Sequence, residues 1–130
     1  MEKRIAEGIE EWSQICSDSF VPLHVSNNSQ DFQASIHHLQ LGEIGVSRVS
    51  SKASTVLRPA KLVAAEPRDD VLLSIQLTGP GAIHQADRSA RLFPDTGAIY
   101  EADTPYELRF DGPMSEFVLQ VPRHDCACGI

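Results

Sequence analysis

Apolar residues in the first segment, Ile5, Ile9, Trp12 and Cys16, are separated by four, three and four positions, which places them on one side of an α-helix. Glu2, Lys3, Glu7, Glu10 and Glu11 are available for the wet side. The spacing predicts one amphipathic helix at the start of the chain. After Asp18 the pattern changes to short runs of Val, Ile, Leu and Phe cut by Gly, Pro, Asn, Asp and Ser, which is the pattern of many short strands. Strands are predicted near Phe20–Val25, Phe32–Leu41, Ile44–Ser50, Ser54–Arg58, Val71–Thr78, Ala82–Gln85, Ser89–Phe93, Ala98–Ala102, Tyr106–Phe110 and Ser115–Val121. In Val71–Thr78 the odd positions Val71, Leu73, Ile75 and Leu77 are all apolar, while Ser74, Gln76 and Thr78 share the other face with Leu72. Period-two alternation of this kind predicts that one face is buried. Asp87-Arg88 reads as a two-residue hairpin loop, and Phe93-Pro94-Asp95-Thr96-Gly97 supplies proline and glycine for the next reversal.

Length and charge narrow the classes. A chain of 130 residues, 42% hydrophobic, falls in the range of one domain of roughly 100 to 150 residues with one core. The longest apolar runs, Val71-Leu72-Leu73 and Leu62-Val63-Ala64-Ala65, are far short of the roughly 20 residues that span a bilayer. The charged start Met-Glu-Lys-Arg has no apolar stretch behind it, so a cytoplasmic address is expected. With 18 acidic against 11 basic residues and a formal charge of −7, the body is repelled by a phosphate backbone, and DNA binding by these residues alone is excluded. The cysteines are odd in number, with Cys16 alone and Cys126 and Cys128 near the end. This is not a disulfide framework, and reduced thiols are expected.

Glu11-Trp12-Ser13, Phe20-Val21-Pro22-Leu23 and Gly45-Val46-Ser47-Arg48-Val49 resemble the opening of the effector-binding domain of AraC/XylS-type transcription regulators. The likeness continues through Asp69-Asp70, Leu73-Ser74-Ile75-Gln76-Leu77-Thr78-Gly79-Pro80-Gly81, His84-Gln85 and Arg88-Ser89-Ala90-Arg91-Leu92. Pro105-Tyr106-Glu107-Leu108-Arg109-Phe110 and Val118-Leu119-Gln120-Val121-Pro122-Arg123 complete it in family order. The resemblance implies a mainly β, cupin-like double-stranded β-helix barrel behind an N-terminal helix. It further implies a small effector in the interior, a dimerising surface, and DNA contact only through a C-terminal helix-turn-helix domain, for which nothing after Arg123 is long enough here. Residues 1–123 are expected to form the ligand-binding and dimerisation domain, and 124–130 a disordered tail. Two features depart from the family. Pro94-Asp95-Thr96-Gly97 replaces a Pro-Gly-Asp turn, and the tail Arg123-His124-Asp125-Cys126-Ala127-Cys128-Gly129-Ile130 lacks a helical continuation.

No catalytic set is legible. Cupin enzymes hold a metal with an H-x-H pair, a carboxylate and a later histidine, but His84 is followed two places on by Ala86. His37 and His38, adjacent on a strand, point to opposite faces. Cys126-x-Cys128 with His124 and Asp125 is too closely spaced for a structural zinc loop. Gly79-Pro80-Gly81 reads as a turn, and no G-x-S-x-G elbow exists. The expectation is therefore a protein that is not an enzyme and needs no metal or other cofactor. The alternatives are a small cupin isomerase or oxygenase, and a stand-alone dimerisation module with a filled interior.

An effector site of this kind is mostly apolar with a few polar groups. Arg48 shares parity with Ile44 and Val46, so an inward apolar face would carry its guanidinium inward to hold a carboxylate. A snorkelling arginine at the strand end is the alternative. Arg58 has a similar claim, since relatives often carry an arginine there, and it too could be a surface ion pair. Tyr100 and Tyr106 offer aromatic walls with a hydroxyl, or ordinary packing, and His84 a polar group in or beside the pocket. These five residues are the expected effector site, for a carboxylic acid or an aromatic compound. Ile5, Ile9, Trp12 and Cys16 are the candidate interface of a homodimer, unless the helix only caps its own barrel.

Overall fold

The computed structural model describes residues 2–27 and 31–126. Among the described residues eleven strands build two antiparallel sheets. They are β1 Glu2–Ala6, β2 His24–Ser26, β3 Ala34–Leu41, β4 Ile44–Ser51, β5 Ser54–Arg58, β6 Asp70–Thr78, β7 Gly81–Gln85, β8 Arg88–Leu92, β9 Gly97–Glu101, β10 Tyr106–Phe110 and β11 Met114–Pro122. One sheet runs β1-β3-β4-β11-β6-β9 and the other β2-β5-β10-β7-β8. Helix α1 spans Ile9–Ser19 and the short α2 spans Ala60–Ala65. The sheets face each other across one core, with Val25, Val56, Ile83, Tyr106, Leu108 and Phe110 from the five-stranded sheet against Ile36, Val49, Leu72, Tyr100 and Val118 from the six-stranded one.

The mainly β, barrel-like architecture and most strands lie where the alternation predicted, but the start of the chain differs. Residues 2–6 form a strand paired with β3, from Glu2 opposite His38 to Ala6 opposite Ala34. Ile5 therefore leaves the predicted helical stripe and stands 60% exposed on β1. The helix begins at Ile9, after Gly8 in extended conformation. Trp12, Ile15 and Cys16 are buried in the chain's own core, with Ile9 packed against it. Ser17 Oγ bridges the backbone N–H and C=O of Leu23, both at 3.1 Å, and Ser13 Oγ accepts from the N–H of Val25 at 3.0 Å. These bonds fasten α1 to the segment that follows it. Helix α2 escaped the sequence reading because it is one short turn-and-a-half with no buried residue, and so leaves no apolar stripe. The hairpin loop after β7 is Ala86-Asp87 rather than Asp87-Arg88, with Ala86 at φ 56°.

On several strands the face turned inward is not the more apolar one. On β6 the buried residues are Leu72, Ser74 and Gln76, while the apolar odd face points outward and leaves Ile75 38% exposed. The same inversion holds on β11, where Met114, Glu116 and Val118 face in and Phe117 and Leu119 face out, and on β4, where Ser47, Val49 and Ser51 face in and Arg48 out. Polar residues survive inside because they bond to one another across the sheet. Ser47 Oγ lies 2.6 Å from His38 Nδ1, Ser74 Oγ 2.7 Å from the Tyr100 hydroxyl, and Thr78 Oγ1 2.7 Å from Ser115 Oγ.

Candidate functional site

Strand β11 runs through the middle of the six-stranded sheet and delivers Glu116 to the interior, opposite Val49 on β4 and Gln76 on β6. The register against β6 slips between Ser115 and Glu116, an irregularity of the kind that re-aims side chains beside binding sites. Glu116 is 4% exposed, and its Oε2 has no hydrogen-bond partner. Oε1 of Gln76 is likewise buried and unpartnered, its Nε2 being used on the carbonyls of Thr78 and Gly79, both at 3.2 Å.

Around Glu116 the walls are apolar. Tyr100 from β9 and Tyr106 from β10 stand edge to face with ring centroids 4.8 Å apart. Val49, Val56, Leu72, Leu108, Phe110 and Met114 complete the sides, while Cys16 of α1 with Phe20 and Leu23 line the same cavity. Its free volume is about 30 Å³. That exceeds the roughly 10 to 15 Å³ one water needs but falls far below the roughly 300 Å³ at which small-ligand pockets begin. Burial pushes the Glu116 carboxyl up to about 8. Burial also raises the Cys16 thiol and both tyrosine hydroxyls, Tyr100 further by its neighbours Tyr106 and Glu116. Burial thus favours the neutral form of all four groups.

Of the five residues expected at the site, the structure brings two together, Tyr100 and Tyr106. Arg58 is fully buried, yet its guanidinium is consumed by backbone. Nε donates to the carbonyl of Ala102 at 2.7 Å, Nη1 to that of Pro22 at 2.9 Å and Nη2 to that of Glu66, just past α2, at 2.8 Å. It ties three loops rather than facing the cavity. Arg48 lies on the outer face, 6.0 Å from the centroid of the Phe117 ring, because β4 turns its Ile44–Val46–Arg48 parity outward. His84 is exposed, with Nδ1 2.6 Å from Ser89 Oγ. Glu116 was missed at the sequence level. Its only signal is the one carboxylate in a mainly apolar strand. Among the described residues no three His, Cys, Asp or Glu side chains gather to hold a metal ion. Cys128 lies outside the described residues, as do 127, 129 and 130 of the expected tail; residues 123–126 form a 3-10 turn. None of the described helices is long and apolar enough to cross a membrane.

Two antiparallel sheets packed around one interior define a cupin-like barrel. Within that class the chain belongs to the AraC-binding-like domain family, which it matches over residues 12–127. A relative in Bacillus sp. (strain OxB-1), described as an uncharacterized protein in the nit 5′ region, is 32% identical over 113 residues, 86% of this chain and 44% of the relative. The chain thus spans less than half the length of that relative. Among solved structures, the AraC-like transcriptional activator CuxR superposes with a TM-score of 0.80 at 15% identity, over 95% of this chain and 48% of CuxR. A cupin superfamily protein from Desulfitobacterium hafniense superposes at 0.57 and 14% identity, over 75% of this chain and 83% of that protein. At such identities the likeness is one of fold.

Proposed function

We propose that this is a non-catalytic, small-molecule-sensing domain of a transcription regulator, and that the effector binds in the barrel interior beside Glu116. The observation that carries the reading is the buried Oε2 of Glu116, left without a partner where the cavity lies. An orphaned polar atom in a core costs about 1 to 3 kcal/mol, and a ligand that bonds to it recovers that cost. Because the closed cavity admits only water, an effector enters by displacing Cys16, Phe20 and Leu23. In this reading occupancy is reported through α1, whose placement over the cavity the ligand biases. DNA contact belongs to another domain, in keeping with the acidic charge of this one.

Self-association as a homodimer is part of the proposal. Trp12 and Cys16 face the chain's own core, and the surface proposed for it is the outer face of the six-stranded sheet, where Ile75, Ile99, Phe117 and Leu119 are exposed. Sedimentation of the wild type against Leu119→Lys checks this. A monomer at every concentration for the wild type removes the dimer.

A thermal-shift screen of metal-stripped protein against organic acids, aromatic compounds, amines and sugars tests the sensor. Stabilisation following native-state binding is expected, about 2.7 kcal/mol at a hundredfold excess over Kd. The small cavity favours a second reading, an interaction module with a filled interior. That reading predicts no stabilisation by any class. Stoichiometric metal in the untreated protein, with turnover, would instead return the cupin-enzyme alternative.

A further inference from the structure

Every feature of the interior cavity points to a ligand that brings hydrogen-bond donors and positive charge. None of the residues lining it is basic, so an anion finds no counter-charge there. The two arginines that could have supplied one are committed elsewhere, Arg58 to three carbonyls and Arg48 to the outer face. The unpartnered polar atom in the lining, Glu116 Oε2, is an oxygen and in the ionised acid an acceptor. The Tyr100 hydroxyl is already engaged with Ser74. The edge-to-face pair Tyr100–Tyr106 presents aromatic surface, which attracts a cation by its quadrupole. The remaining walls are aliphatic or aromatic and suit an apolar body.

We infer that Glu116 anchors the effector and that the effector is a small organic amine with an apolar body, an inference that rests on the sensor reading above. Bound as an ammonium, the amine forms a charge-assisted pair with the Glu116 carboxylate. The empty site holds that carboxyl protonated at pH 6.5, since burial pushes it up to about 8. An ammonium entering from water therefore leaves its own proton in place and expels the carboxyl proton to solvent, one per ligand. The titratable groups that share the cavity are Cys16 on α1, Tyr100 on β9 and Tyr106 on β10, all raised by burial and silent at that pH. Val49 and Gln76, opposite Glu116 on the flanking strands, do not titrate.

Titration calorimetry at pH 6.5, in buffers of different ionisation enthalpy, with butylamine and benzylamine and with their matched alcohols and carboxylates, tests this. Binding of an amine with release of about one proton is expected, weakened about tenfold or more in Glu116→Gln while any alcohol binding stays within about twofold. The proton count is read on the wild type and so stands whether or not the variant folds. Amine binding without proton release overturns the ion pair. Binding of an alcohol or carboxylate in place of the amines overturns the inference and leaves the sensor reading in force. Binding by none of these probes overturns the inference, while the wider screen decides the sensor separately.

Discussion

Replacing Glu116 by glutamine keeps the shape of the side chain and removes its charge, and the structure fixes how stability should respond to pH. In the unfolded chain the carboxyl titrates near 4.5; in the folded protein burial, with no partner for Oε2, holds it near 8. A raised carboxyl pKa means that the folded state binds the proton more tightly. Stability is therefore fully present below about 4.5. It falls by about 1.4 kcal/mol per pH unit as the unfolded chain loses the proton that the folded chain keeps, and it levels off above about 8. Over that window of about 3.5 units the loss amounts to about 5 kcal/mol at full extent, comparable to the whole stability of a small domain. Glu116→Gln lacks this loss. Urea unfolding of both proteins at intervals from pH 5 to 9 should show the variant gaining on the wild type as pH rises, by several kcal/mol at pH 8.5. Contributions of groups distant from Glu116 cancel in the difference. A difference that does not change with pH would refute the burial of an unpaired carboxyl and with it the reading of the cavity.

Arg58→Lys replaces a planar fork by a point charge that cannot span the carbonyls of Ala102, Pro22 and Glu66. Loss of two such bonds should cost about 3 kcal/mol in urea unfolding, and an unchanged midpoint would mean that the three loops hold without it. Gly79 has φ 77°, and a β-carbon there would stand 2.1 Å from the carbonyl oxygen of Pro113. Gly79→Ala should lower stability by about 2 kcal/mol or more, read in a thermal melt. In a variant carrying Cys126→Ser and Cys128→Ser, the buried Cys16 thiol should react with a thiol reagent only when α1 opens. Labelling as fast as that of a free thiol would contradict the closed cavity.

Much of the fold was legible because alternation and turn chemistry are local. The runs Ser54–Arg58 and Tyr106–Phe110 are strands with the predicted limits, and the reversal at Pro94-Asp95 is built with Asp95 at φ 69°. The family likeness was legible too, since its short motifs recur in order along nearly the whole chain. Tyr100 and Tyr106, singled out by residue type, both line the cavity. Arg48 and the dimer role of Trp12 were argued from parity and stripe, which give a face but not its environment, and His84 from its residue type.

What the sequence determined by itself was thus the period of each element, its approximate limits, the acidic charge and the absence of a legible catalytic motif. Which face of each strand looks inward was decided only by tertiary structure. On β6 and β11 the richer apolar face points out, because the opposite sheet already supplies Tyr106, Leu108 and Phe110 to the core. The polar inner positions Ser74 and Ser115 meanwhile find partners in Tyr100 and Thr78, 26 and 37 residues away along the chain. Glu116 becomes a candidate ligand anchor for the same reason. Its neighbours come from α1, β9 and β10, and only folding, which closes those elements over one carboxyl without giving it a partner, makes it chemically distinct.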